Sequence, residues 1–318
     1  MSANIGQMMY AGNEVPWHGL GKKVDANLTA EEAIVAAGLD WQVGKAPVIY
    51  ENELGIQNTM DSRYVVYRKD NNVPLGVVGQ KHTEVQNKQC FSIMDAIVGE
   101  KLASYHTAGY LGNGERIWML MQTPGIIRVA GDDIIEKFIL LATSHDGTLS
   151  LSILFTPIRV VCQNTLNAAL SARGNTFRAR HTESITAKVT DIKEIRETLG
   201  IISNQYTMLE ELSQRLAATQ VSQTQVDRFL DNLLDIKEGQ EIATRTKNRI
   251  DSIENLFVYG RGNRLPGIKG SLWALYNGVV EYADYENGKD PLKRAQSTLF
   301  GAGSKLKARA MDLVTAAL

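Results

Sequence analysis

The stretch Thr148-Leu149-Ser150-Leu151-Ser152-Ile153-Leu154-Phe155-Thr156-Pro157 decides the fold class. Leu149, Leu151, Ile153 and Phe155 alternate with Thr148, Ser150 and Ser152. This is the period of a strand with one face in a core and the other mostly lined by hydroxyls. Thr156-Pro157 then predicts a change of structure, with threonine as N-cap and proline at the first helical position. A helix is expected from there to about Ala172, burying Ile158, Val161, Cys162, Thr165 and Ala169.

Upstream, Ala103 to Leu111 and Glu115 to Gln122 read as strands joined across Gly112-Asn113-Gly114, and Ile134 to Ser144 joins the decisive strand across Asp146-Gly147. Two hairpins in succession make an antiparallel sheet. Further upstream, strand-like runs occupy Trp41 to Tyr50, Arg63 to Arg68 and Leu75 to Val78, and a helix carries Cys90, Phe91, Met94, Ile97 and Val98. Thr29-Ala30-Glu31-Glu32 is a capping box that opens a short helix, whereas the first 24 residues show neither period and read as a loop packed onto the body.

Downstream, Phe177-Arg178-Ala179-Arg180-His181 alternates again, which puts Arg178 and Arg180 on one side of an extended segment. From Asp191 the period becomes helical: Ile195, Leu199, Ile202, Tyr206, Leu209, Ser213 and Leu216 form a heptad-like seam that needs a partner. Ser222-Gln223-Thr224-Gln225 caps the next helix, Gly260 to Gly270 is a glycine-rich basic loop, and two more amphipathic helices follow. The expected fold is therefore α+β. An antiparallel β-sheet core with a β-β-β-α unit packed by helices spans residues 1–188, and an α-helical region spans 189–318.

Composition narrows the function. In 318 residues, 44% hydrophobic and 22% charged with only seven prolines, there is ample apolar material for a core. No apolar run approaches the roughly 20 residues of a membrane span and no basic-then-apolar leader opens the chain, so a cytoplasmic protein is expected. Cys90 and Cys162 suit inert packing better than a disulfide framework. The five histidines are scattered singly, and neither Gly262 to Lys269 nor Gly301 to Lys305 follows a strand as a phosphate loop must, so no metal, cofactor or catalytic constellation is expected.

The charge map is more informative, because a net charge of -1 hides local excesses of cations. Arg159, Arg173, Arg178, Arg180 and Lys188 face only Glu183; Arg245, Lys247, Arg249, Arg261, Arg264 and Lys269 face only Asp251 and Glu254; Lys293, Arg294, Lys305, Lys307 and Arg309 form a third group. On the helix expected after Pro157, Arg159, Gln163 and Asn167 fall at i, i+4 and i+8 with Asn164 alongside, an arginine and amide stripe of the kind that reads phosphate and sugar. Arg159, Gln163, Asn164, Asn167, Arg173, Arg178, Arg180 and Lys188 are the candidate nucleic-acid contacts. Tyr105, Tyr110 and Trp118 are candidates for base stacking, with core packing the stronger expectation for Trp118.

The start Trp17-His18-Gly19-Leu20-Gly21, the segments Ser144-His145-Asp146-Gly147 and Phe155-Thr156-Pro157-Ile158-Arg159-Val160-Val161-Cys162-Gln163-Asn164-Thr165-Leu166, and Arg180-His181-Thr182 together resemble the phage- and plasmid-borne family catalogued as domain of unknown function 932. That resemblance covers the chain to about Lys188 and implies a mobile-element origin without assigning a reaction. The strands followed by a helix also resemble, in topology alone, the core of the Redβ/RecT/Rad-type single-strand annealing superfamily. This second resemblance implies a ring or filament of identical subunits that holds single-stranded DNA in a basic groove, with room for a phage exonuclease as a partner. The leading expectation is thus a non-catalytic single-stranded DNA binding and annealing protein. One rival is a nucleotide or nucleic-acid enzyme using His145, Asp146 and His181; the other is an inhibitory or structural protein that holds a host protein through its helical tail.

Overall fold

The computed structural model describes the chain except for residues 1–4, 12–20, 26–27, 99–103, 160–163, 166–176, 238, 291–292, 295–296 and 299–300. It is α+β, as the alternating and helical periods predict. The centre is an antiparallel meander of β6 (Ser104–Leu111), β7 (Arg116–Ala130), β8 (Asp133–Ser144) and β9 (Leu151–Phe155). β7 and β8 form a long ribbon: fifteen residues of β7 at about 3.3 Å each span about 45 Å. Arg116 pairs with Ser144 at one end and Ala130 with Asp133 at the other.

Two elements depart from the expectation. The N-terminal stretch is not a loop: β1 (Ile5–Ala11) pairs antiparallel with β6, and β2 (Lys22–Val24) pairs parallel with β1. Met8 and Met9 are buried in clusters on opposite faces of the sheet, so no polar alternation marks the strand. The helix expected to start at Thr156-Pro157 is also absent from its described part. The chain runs on along the edge of β8 as β10 (Ile158–Arg159), which pairs with Ile135 and Glu136, and β11 (Asn164–Thr165) pairs back onto β10. Pro157 has no N–H and so interrupts the ladder locally, a role proline fills at a sheet edge as readily as at a helix start. Ile158, Arg159, Asn164 and Thr165 are thus in strands rather than in a helix, and Gln163 and Asn167, the other members of the i, i+4, i+8 stripe, lie outside the described residues.

β12 (Phe177–Ala179) pairs with β9 and turns Phe177 and Ala179 inward. A second sheet, β3 (Val43–Glu51), β4 (Gln57–Arg68) and β5 (Pro74–Gly79), packs at the Arg116/Ser144 end of the ribbon. There Arg68 donates to the Asn113 carbonyl at 3.0 Å, and Gly114 lies so close to the Trp41 ring that a Cβ would stand 2.7 Å from it. The helices α1 (Ala30–Ala36) and α2 (Asn87–Val98) close one core with both sheets. Thr29 and Glu32 form the capping box read from the sequence.

The helical region comprises α3 (Ile185–Thr190), α4 (Ile192–Ala218), α5 (Gln223–Leu234), α6 (Thr244–Tyr259), α7 (Leu272–Glu281), a π-helical turn (Tyr282–Glu286) and α8 (Ala302–Ala316). In α4 the seam residues Tyr206, Leu209, Ser213 and Leu216 are buried. Their partner lies within the chain, because α4 packs on β7, and Tyr206 Oη donates to the Phe138 carbonyl at 3.1 Å. The helical core takes in Ile127, Val129 and Ile135, so the far end of the β7–β8 ribbon packs one face against the helices. No helix among the described residues is long and apolar enough to cross a membrane.

Candidate nucleic-acid interface

The proposed cation channel does not assemble as expected. Arg159 is fully buried, its Nε 2.7 Å from the equally buried Asp133 Oδ1. Its Nη1 donates to Asn263 Oδ1 at 3.0 Å and to the Arg261 carbonyl at 3.3 Å, and its Nη2 to the Gly262 carbonyl at 3.1 Å. The second Asp133 oxygen accepts from Trp273 Nε1 at 2.8 Å. Arg159 therefore cannot grip a phosphate: β8 and β10 place it where an ionised pair must saturate its hydrogen bonds internally.

Arg178 and Arg180 are exposed on one face of the β12 segment, as the alternation predicts, and Lys188 is exposed on α3. No hydrogen bond or ion pair engages these three side chains among the described residues. They lie apart from Arg159, however: Arg178 aligns through Ser152 with Ala142 of β8 and Arg159 with Ile135, seven residues or about 23 Å along the strand. Gln163, Asn167 and Arg173 fall outside the described residues, and Asn164 sits in β11. Tyr105 and Trp118 are core residues, and Tyr110 meets the Trp41 ring edge-on at 6.0 Å.

What Arg159 does hold is the backbone of the basic loop 260–270. Asn263, anchored by its Nδ2 to the Leu256 and Ala274 carbonyls at 2.9 and 3.0 Å, fixes the loop's centre, and Gly262 takes a φ of +72°. The loop also meets the β7–β8 turn, with Gly267 facing Ala130 and Gly131 facing Pro266. On this buttressed frame three arginines rest on three tyrosines. The Arg264 guanidinium lies 4.7 Å from the Tyr259 ring, Arg261 4.5 Å from Tyr285, and Arg249 5.7 Å from Tyr282. Arg261 also approaches Glu281 at 3.7 Å, and its backbone N–H donates to the same carboxyl, which burial pushes above its usual range. Arg249 and Arg264 have no carboxylate partner among the described residues.

Arginine above a tyrosine ring presents a flat cation and a π-face together, the pair of features that engages a phosphate and a base in one place. The basic residues of this corner were legible as a charge excess. Tyr259, Tyr282 and Tyr285 were missed, though Tyr259 flanks Arg261 and the other two fall three residues apart. The third cation group disperses: Lys307 is buried 2.9 Å from Asp284, and Arg309 pairs with Asp235.

The histidines of the rival enzymatic reading do come together, joined by His82, at the opposite end of the ribbon. His82 and His181 stack at 4.9 Å. His181 Nδ1 faces the Thr83 carbonyl at 3.1 Å and must donate, so Nε2 accepts from Thr143 Oγ1 at 2.8 Å. Asn87 Nδ2 donates to the Leu39 and Trp41 carbonyls, which leaves its Oδ1 to accept from His145 Nε2 at 2.9 Å. Burial, with the neighbouring imidazoles, pushes His145 down to about 3, and His82 falls to about 4 for the same reasons and Lys45. Asp146 accepts from the backbone and hydroxyl of Thr148 within its own turn. The cluster is thus a neutral, internally bonded joint, with His145 sealed from solvent. Cys90 is likewise buried and its thiol pushed up to about 12. Among the described residues no group of three or more His, Cys, Asp or Glu is placed to hold a metal ion.

The family model described as Domain of unknown function (DUF932) matches residues 74–310. The chain belongs to the DUF932 family. The DUF932 match takes in β5, the whole ribbon, the Asp133–Arg159 pair and the Arg–Tyr corner, and it extends well beyond Lys188 into the helices. Trp17 to Gly21 and the β3–β4 hairpin lie outside it. No curated protein and no solved structure matches the chain.

Proposed function

We propose that this DUF932 protein is a non-catalytic, oligomeric, cytoplasmic protein that binds single-stranded DNA and promotes its annealing, in the manner of phage and prophage recombination proteins. The observation that carries the reading is the corner of Arg249, Arg261 and Arg264 on Tyr282, Tyr285 and Tyr259, in which Arg261, Arg264 and Tyr259 are exposed and the other three half-buried. Aromatic faces serve every base, and cations beside them neutralise the backbone, so the arrangement favours an unpaired strand without a sequence preference. Arg178, Arg180 and Lys188, exposed and unpaired among the described residues, supply further phosphate contacts.

Fluorescence anisotropy of a labelled oligothymidylate in a salt series tests it. Affinity falls as salt rises; Tyr259→Ala and Arg264→Ala each weaken binding about ten-fold, and Arg264→Ala also lowers the salt slope by about 1. Complementary strands anneal faster in the presence of the wild-type protein than with either variant. Absence of binding, or binding indifferent to salt and to both variants, overturns the reading.

A further inference from the structure

The β3–β4 hairpin carries an apolar, acidic tip that the fold leaves uncovered. β5 pairs with β4 only over Arg63–Tyr67, so beyond Pro47 the hairpin stands as two strands among the described residues, pairing Val48 with Met60 through Glu51 with Gln57. A lone two-stranded ribbon is marginal in water. Yet Ile49, Tyr50, Leu54, Ile56 and Met60 are all exposed there, Leu54 at 82%. Between residues 48 and 62 the charges are Glu51, Glu53 and Asp61, uncompensated by any lysine or arginine. An exposed apolar patch of this kind marks a contact surface.

Its counterpart is at the other end of the molecule. The Arg–Tyr corner is cationic, and Tyr259 within it and Val258 beside it are exposed. The second sheet sits at the Arg116/Ser144 end of the β7–β8 ribbon, the corner at the Ala130/Asp133 end, about 45 Å away. From Val43 to Glu51 the hairpin extends only about 27 Å, so a chain's own tip does not reach its own corner. Tip against tip would oppose three carboxylates to three. We propose that the β3–β4 tip docks on the Arg–Tyr corner of a second copy of this chain, giving head-to-tail assembly that closes into a ring or continues as a filament. Because the arginines cannot hold carboxylates and phosphates at once, oligonucleotide displaces the tip; this competition rests on the nucleic-acid reading of the corner, whereas the docking does not.

Sedimentation velocity of the full chain over a concentration series tests it. The wild type assembles; Leu54→Ser with Ile56→Ser, which disables the tip, and Arg264→Glu, which disables the corner, each weaken self-association at least ten-fold. Mixing the two variants yields 1:1 dimers that grow no further, since one intact tip meets one intact corner. Glu53→Lys combined with Arg264→Glu in one chain restores assembly. A wild type that sediments as a single chain throughout overturns the proposal, as do variants that still assemble or a mixture that forms no dimer. Assemblies that behave as described but ignore added oligothymidylate leave the docking intact and remove the nucleic-acid reading of the corner. A wild type that sediments as a single chain without oligonucleotide and yet binds it does the reverse.

Discussion

The two ends of the β7–β8 ribbon hold their buried polar groups by opposite means. At the corner, Asp133 and Arg159 are buried as an ion pair, and the carboxylate and guanidinium find further partners in Trp273, Asn263 and the carbonyls of Arg261 and Gly262. At the other end, His145 and His181 are buried as neutral rings whose partners are an amide, a hydroxyl and a carbonyl, with half-buried His82 stacked on His181. The difference is instructive. A guanidinium cannot shed its charge, so the fold must surround it with acceptors, whereas an imidazole gives up its proton and accepts neutral company. The first arrangement fixes a surface loop; the second makes the joint between the sheets sensitive to acid.

The comparison breaks most severely at Arg159. Arg159→Met leaves Asp133 buried without its partner and should cost about 3–5 kcal/mol in urea unfolding. Adding Asp133→Asn recovers part of that loss, because no uncompensated charge remains. A loss no larger than that of a surface substitution would mean that the pair is not a buried anchor.

The histidine end is tested by pH. The folded value of His145 is about 3 against 6.5 for a free imidazole, so above pH 6.5 both states are neutral. Between pH 6.5 and about 3 the unfolded chain binds a proton that the folded chain refuses, and stability falls by up to about 4 kcal/mol. His145→Asn should flatten that part of the wild-type slope in urea titrations at successive pH values. An unchanged slope removes His145 as the acid-sensitive group.

Two smaller effects sharpen the contrast between buried and exposed interactions. Ser222 caps α5 by accepting from the Gln225 N–H, and Ser222→Ala should cost about 1 kcal/mol by thermal unfolding. Arg309 pairs with Asp235 at the surface, and Arg309→Ala should lower the midpoint of thermal unfolding less than Ser222→Ala does, and less still in high salt. If Arg309→Ala proved as damaging as Arg159→Met, burial would not be what separates the two arginines.

The sequence by itself determined the pieces whose signals are short-range. Gly112-Asn113-Gly114 and Asp146-Gly147 sit in the turns, the capping boxes at Thr29 and Ser222 form, residues 260–270 are a loop, and α4 runs over the seam from Ile192 to Ala218. Alternation also put Arg178 and Arg180 on one exposed face. Tertiary structure alone decided β1, which is covered on both faces and so carries no alternation to read, and the continuation of β9 into β10. Thr156-Pro157 suits a helix start and a strand edge equally, and the open edge of β8 at Ile135 and Glu136 settled the matter. The burial of Arg159 depended on Asp133, 26 residues away, and on a loop some hundred residues further on. Periods and caps are set by neighbours along the chain, but which charge is buried, and against what, is set by partners that only folding brings together.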